Sequence, residues 1–82
     1  MNKVQVFFFA GLRDKTGVIN SEMEIPFHST VADFKLLIED RFPKIIDSME
    51  STLVSVNKEV AFDDEVIPNG AEIALFPPVS GG

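Results

Sequence analysis

The C-terminal segment is the part of this sequence whose residue types most clearly suggest chemistry. Residues 77–82 combine two prolines with a terminal Gly81-Gly82 pair. Proline cannot extend a strand ladder and favours a stiff, extended backbone, so six extended residues would reach roughly 20 Å. Because glycine has no Cβ atom, such a tail could enter a very narrow channel. The sequence predicts a stalk, formed by Pro77, Pro78, Val79, Ser80 and Gly81, that presents the Gly82 carboxylate. A frayed terminus is the alternative.

Other candidate catalytic groups lack supporting context. The chain has no cysteine, which excludes disulfides, thiolate metal sites and thiol nucleophiles. His28 is the single histidine, and residues 63–65 lack the spacing of a calcium loop. No glycine-rich phosphate loop is present. We therefore expect no metal, no bound cofactor and no active site of the chain's own. An ionised carboxylate is a poor electrophile, so Gly82 would need adenylation by a partner that uses ATP.

Composition restricts the class of partner. The chain has 82 residues, a hydrophobic content of 45% and a formal net charge of −6. This charge disfavours nucleic acid and anionic membranes, and it fits a basic protein partner, although mild acidity is also common in soluble proteins. No stretch has the roughly 20 apolar residues of a membrane span, and no signal-peptide pattern opens the chain. We expect a cytoplasmic protein.

The hydrophobic pattern predicts two strands, one main helix and two or three further strands. Strands are expected at 3–9, 19–27, 53–57, 60–62 and 72–76. Thr30 is a suitable N-cap for the helix, and Pro43 should end it. Its expected apolar face consists of Val31, Phe34, Leu37, Ile38 and Phe42.

This order of elements predicts an α+β fold of the β-grasp (ubiquitin-like) type. A single helix can cover only one face of the sheet. The first and last strands should be central and parallel, in a mixed sheet of four to five strands. We expect the β-grasp domain to span residues 1–76 and the extended tail to span 77–82.

Three phenylalanines are expected on the face that the helix leaves open. Alternation points Phe7, Phe9 and Phe76 away from the helix. If the first and last strands are neighbours, Phe9 and Phe76 form a contiguous patch, which on a small protein usually marks a partner site. A register error or a covering loop is the alternative. Arg13 could bind a carboxylate or phosphate of a partner, or could simply be solvated.

Five segments of the chain carry a family resemblance: residues 6–14, 30–34, 54–59, 69–74 and 75–82. They resemble the small subunit of molybdopterin synthase, a family of ubiquitin-like sulfur carriers. The ending is the most specific match and is nearly the family's consensus. The resemblance covers essentially the whole chain. Lys58 stands where a glycine is common, and Asp14 replaces a usual glutamate.

The resemblance implies a sulfur carrier subunit in molybdenum cofactor biosynthesis. An E1-like adenylyltransferase would convert the Gly82 carboxylate to an acyl-adenylate, and a persulfide donor would leave a thiocarboxylate there. The tail would then insert into the large subunit, within a heterotetramer, and pass sulfur to cyclic pyranopterin monophosphate. Phe9, Phe76 and, less clearly, Phe7 match the family's docking face. A carrier for thiazole synthesis or tRNA thiolation, a protein modifier and a plain interaction domain remain as alternatives.

Overall fold

The computed structural model describes residues 1–77 of the chain, which fold into a five-stranded mixed sheet with helices on one face. We number strands and helices in chain order. The elements are β1 (Asn2–Phe8), α1 (Gly11–Thr16), β2 (Asn20–Ile25), α2 (Val31–Arg41), a 3-10 turn (Pro43–Ile45), α3 (Ile46–Met49), β3 (Leu53–Val56), β4 (Glu59–Val60) and β5 (Glu72–Phe76).

Alternation along β1 and β5 separates the two faces of the sheet. In β1, Val4, Val6 and Phe8 are buried, because successive strand residues point to opposite faces. In β5, Ile73 and Leu75 are buried in the same way. Together with apolar residues of the helices, these side chains form a single core cluster on the helical side.

The main helix is specified by its cap and its apolar stripe. The Thr30 hydroxyl accepts a hydrogen bond from the Asp33 backbone N–H at 3.2 Å, and an Asp33 carboxylate oxygen accepts one from the Thr30 N–H at 3.0 Å. This reciprocal pair is a capping box. Val31, Phe34 and Ile38 are buried beneath the helix, as the sequence predicted. The helix ends at Arg41, just before Phe42-Pro43.

The strand order in the sheet is β2-β1-β5-β3-β4. β1 pairs antiparallel with β2 and parallel with β5, and in the parallel ladder Phe8 lies opposite Leu75. β5 also pairs antiparallel with β3, which places Phe76 opposite Leu53. The first and last strands are therefore the central, parallel pair, and the predicted β-grasp topology is confirmed.

Several predicted boundaries were wrong. The second strand ends at Ile25 rather than residue 27, because Pro26 has no N–H for the ladder. Phe27 consequently lies outside the sheet and is 64% exposed. The fourth strand is Glu59–Val60 rather than residues 60–62. Among residues 1–77, none of the helices has the length and apolar character needed to cross a membrane.

Candidate functional site

Two phenylalanines are stacked on the open face of the sheet, next to the start of the tail. The parallel register pairs Phe8 with Leu75, so the following residues, Phe9 and Phe76, reach the same level. Their ring centroids are 4.6 Å apart and the ring planes are 16° apart. The two residues remain 36% and 39% exposed. Stacking of this kind holds two aromatic side chains in one orientation while leaving their outer faces available.

The stacked pair forms one end of an apolar groove across β1, β5, β3 and β4. The groove encloses about 460 Å³. Three polar residues, Ser55, Lys58 and Glu72, also border it. We call its apolar lining the docking face, which consists of Phe7, Phe9, Leu53, Val60, Ala74 and Phe76.

The docking face is continuous with the root of the tail. Phe76 is the last residue of β5 and belongs to the docking face. Pro77 follows it and is half-buried. Any protein that covers the docking face therefore also contacts the chain at the point from which the tail departs. The predicted tail residues Pro78, Val79, Ser80, Gly81 and Gly82 lie outside the described residues.

The rest of the described chain offers little catalytic chemistry. Among residues 1–77, no group of three or more His, Cys, Asp or Glu side chains could hold a metal ion. His28 is exposed and lies in the turn between β2 and α2. Within residues 1–77 there is a single ion pair, in which Lys35 Nζ lies 2.6 Å from Asp63 Oδ1. It ties α2 to the loop that precedes β5.

Comparison with known proteins identifies the family. A sequence model of the ThiS family matches residues 6–82 of the chain. The chain belongs to the ThiS family. Among curated members, the human molybdopterin synthase sulfur carrier subunit is 32% identical over 83 residues, which cover 98% of this chain and 94% of the relative. The resemblance that the sequence motifs suggested is thereby confirmed.

Solved structures of similar proteins confirm the ubiquitin-like fold of this ThiS family chain. SAMP1, a small archaeal modifier protein from Haloferax volcanii, superimposes with a TM-score of 0.90 at 27% identity, over 99% of this chain and all of the other. A putative molybdopterin converting factor subunit 1 from Pyrococcus furiosus gives a TM-score of 0.88 at 29% identity, over 96% of this chain and all of that one.

The structure brings together three of the four predicted partner-binding residues. Phe7, Phe9 and Phe76 all line the groove. Arg13 does not: it lies on α1, and its Nε donates a 3.5 Å hydrogen bond to the Phe8 carbonyl oxygen. Its side chain therefore helps to hold α1 against the end of β1. The partner-binding role of all four residues stays a prediction.

Sequence reasoning missed the contribution of the neighbouring strands to the docking face. Leu53 lies opposite Phe76, and Val60 lies opposite Ser55, so both extend the apolar surface beyond the three phenylalanines. Each is 50% exposed. The signal was present in the alternation of β3, since Val54 points into the core and Leu53 must point the other way. It could be read only once β3 was known to neighbour β5.

Proposed function

We propose that this ThiS family chain is the sulfur carrier subunit of molybdopterin synthase. The observation that carries the proposal is the exposed apolar docking face, which ends at Phe76, six residues before the terminal Gly82. A partner held on this face receives the tail at a fixed place. The proposal is supported by relatives that are named molybdopterin synthase sulfur carrier subunit. Their alignments extend over nearly the whole chain, as that of the human protein does.

In the proposed reaction the chain supplies one reacting group, the Gly82 carboxylate. A carboxylate oxygen attacks the α-phosphate of ATP on an E1-like adenylyltransferase, which releases pyrophosphate and forms an acyl-adenylate. The terminal sulfur of a donor persulfide then attacks the acyl carbon and displaces AMP, giving an acyl disulfide. A second thiol reduces this disulfide, and the Gly82 thiocarboxylate is released. We place these steps in the cytoplasm, with ATP consumed by the partner and no cofactor resident in this chain.

The loaded carrier would next bind the large subunit of molybdopterin synthase. The docking face covers the partner's complementary surface, and the tail enters the partner's active site, where catalytic residues would come from the large subunit. Holding the sulfur in place makes its transfer to cyclic pyranopterin monophosphate effectively intramolecular. A dithiolene contains two sulfur atoms, so two loaded tails are consumed for each product. This stoichiometry fits a heterotetramer with two small subunits.

A second function, covalent modification of proteins, is favoured by one comparison. The likeness to SAMP1, a modifier protein, has a TM-score of 0.90. Both functions begin with the same acyl-adenylate, and they differ in whether sulfur or a lysine amine attacks it. Carriers for thiazole synthesis or tRNA thiolation share the sulfur chemistry and differ in the acceptor.

Intact-mass measurement separates these functions. The purified chain is incubated with the adenylating partner, ATP and a persulfide donor and is then weighed. We expect a gain corresponding to one sulfur in place of one oxygen, and its loss as molybdopterin forms when large subunit and precursor are added. Lysine conjugates without that mass gain would instead support the modifier function.

A variant without Gly82 provides the matched control for the mass experiment. It should gain no sulfur, while its melting temperature equals that of the full chain, because Gly82 lies six residues beyond the last strand. Sulfur transfer at the normal rate by this shortened chain would contradict the assignment of Gly82 as the carrier group.

A further inference from the structure

A lysine with an unfavourable backbone conformation borders the docking face. The two-residue turn between β3 and β4 consists of Asn57 and Lys58, with φ angles of 51° and 72°. Turns with positive φ at both positions prefer Asn-Gly, because only glycine avoids a steric penalty at the second position. Asn57 is well suited, since its Oδ1 accepts a 2.9 Å hydrogen bond from the Glu72 N–H. Among the hydrogen bonds of residues 1–77, no comparable side-chain bond involves Lys58.

Lys58 places a positive charge at the border of the groove. Its side chain lines the same groove as the stacked phenylalanines. Asn57 is bonded to Glu72 at the start of β5, whereas Phe76 ends that strand. Four strand steps separate the two ends, a distance of about 13 Å. Within residues 1–77 Lys58 takes part in no salt bridge, although Glu72 borders the groove at the same end.

We propose that Lys58 is a specificity residue of the docking face and binds a carboxylate of the molybdopterin synthase large subunit. The inference rests on the proposed function, which supplies the identity of that partner. A glycine would suit this turn better. Lysine instead adds an ammonium group that has no salt-bridge partner among residues 1–77, beside exposed apolar surface. A matching partner presents an apolar group to Phe9 and Phe76 and an acidic side chain to Lys58, near the start of β5. A partner with a basic side chain there would instead be attracted to Glu72.

Three substitutions separate the charge of Lys58 from its backbone conformation. Lys58→Gln removes the charge and keeps a side chain at positive φ. Lys58→Gly removes both the charge and the steric penalty. Glu72→Gln removes the neighbouring negative charge. Lys44→Ala, on the 3-10 turn and not among the groove-lining residues, controls for the loss of one positive charge elsewhere. Affinity for the purified large subunit is measured by titration calorimetry at low and high salt, and thermal unfolding is followed in parallel.

The Lys58 variants should lose affinity for the large subunit without losing stability. We expect Lys58→Gln and Lys58→Gly each to weaken binding about threefold to fivefold at low salt, with the difference shrinking at high salt. Lys58→Gly should also raise the melting temperature by about 4 °C, while Lys58→Gln leaves it near that of the wild type. Glu72→Gln should bind as well as the wild type or better, and Lys44→Ala should bind unchanged.

Three results would overturn the inference. Unchanged affinity of both Lys58 variants would mean that the lysine contacts no charge on the partner. Weaker binding of Glu72→Gln than of Lys58→Gln would mean that the partner group is basic. If the wild-type chain accepts sulfur at Gly82 but does not bind the large subunit, the assignment of Lys58 fails with that partner while the carrier chemistry of the proposed function stands.

Discussion

Ala10 shows how a single residue is constrained at the edge of the docking face. It follows Phe9 and has φ 49° and ψ −127°, a combination that favours glycine. Its carbonyl oxygen accepts hydrogen bonds from the Arg13 and Asp14 N–H groups at 3.0 and 3.4 Å. These bonds begin α1 directly after β1. The unfavourable backbone conformation is therefore maintained by the turn that positions Phe9.

Replacing Ala10 with glycine should stabilise the protein. We expect Ala10→Gly to raise the free energy of unfolding by about 1 kcal/mol, because relief of the steric penalty exceeds the added entropy of the unfolded chain. Chemical denaturation measures the change. Ala32→Gly is the matched control: it makes the same substitution inside α2 and should lower the free energy of unfolding. A loss of stability in both variants would contradict the strain at Ala10.

Phe76 is expected to contribute most of its effect through partner binding. Phe76→Ala removes one ring of the stacked pair and with it a large aromatic contact at the tail end of the docking face, so affinity for the large subunit should fall by about 2 kcal/mol or more. Phe27→Ala is the control, since Phe27 is more exposed and lies in a separate groove beside α2. Calorimetric titration with the large subunit compares the two. Equal losses would argue against the docking face as the binding site.

At the level of single residues, the sequence predicted which strand side chains point outward, but it did not predict the unusual backbone angles in the turns. The outward direction of Phe7, Phe9 and Phe76 followed from period-two alternation in β1 and β5. The positive φ angle of Ala10 had no sequence signal, because it results from a turn fixed by the surrounding sheet. At Lys58 the glycine that is common in the family was a signal, but the sequence did not show that lysine keeps a positive φ there.

At the level of elements, the capping box of α2 illustrates a local signal that is also needed for stability. Thr30→Ala removes the hydroxyl that accepts the Asp33 N–H, so the free energy of unfolding should fall by about 1 kcal/mol. Thr30→Ser retains the hydroxyl and should lose much less. Urea denaturation of both variants makes the comparison. A similar loss in Thr30→Ser would assign the effect to packing of the methyl group instead.

Long periodic elements were predictable, and short ones were not. The stripe of α2 extends over three turns, and its cap and its proline stop agree with it. By contrast, β4 has two residues and α3 has four, too few for a period to be distinguished. The extent of β4 also depends on its pairing with β3; just beyond β4, the Ala61 N–H donates a hydrogen bond to the Val54 carbonyl oxygen.

At the level of the whole molecule, the small core makes each large buried side chain important. Phe34 is fully buried between α2 and the sheet, and Phe34→Ala should reduce the free energy of unfolding by about 3 to 5 kcal/mol. A domain of this length has about 4 to 12 kcal/mol in total. Leu36→Ala, in the same helix but 68% exposed, should change stability by less than about 0.5 kcal/mol. Chemical denaturation monitored by circular dichroism tests both.

The topology of the whole molecule was predicted from the order of elements and not from any one of them. In a chain with two strands, one helix and further strands, a hydrophobic core forms only if the helix packs on one face of the sheet. The parallel pairing of β1 with β5 satisfies this condition and connects distant parts of the chain. The chemistry of the tail was inferred from its residue types and from the family resemblance, and it stays a prediction.

The central position of β5 has a mechanical consequence. This strand is hydrogen-bonded to β1 on one side and to β3 on the other, and the tail continues directly from its end. A pull on the tail along the strand axis therefore loads both ladders in shear, so that many hydrogen bonds must rupture together instead of unzipping one at a time. An unfoldase that grips the C-terminus would meet this resistance immediately, whereas traction on the outer strand β4 could peel it away from the edge of the sheet.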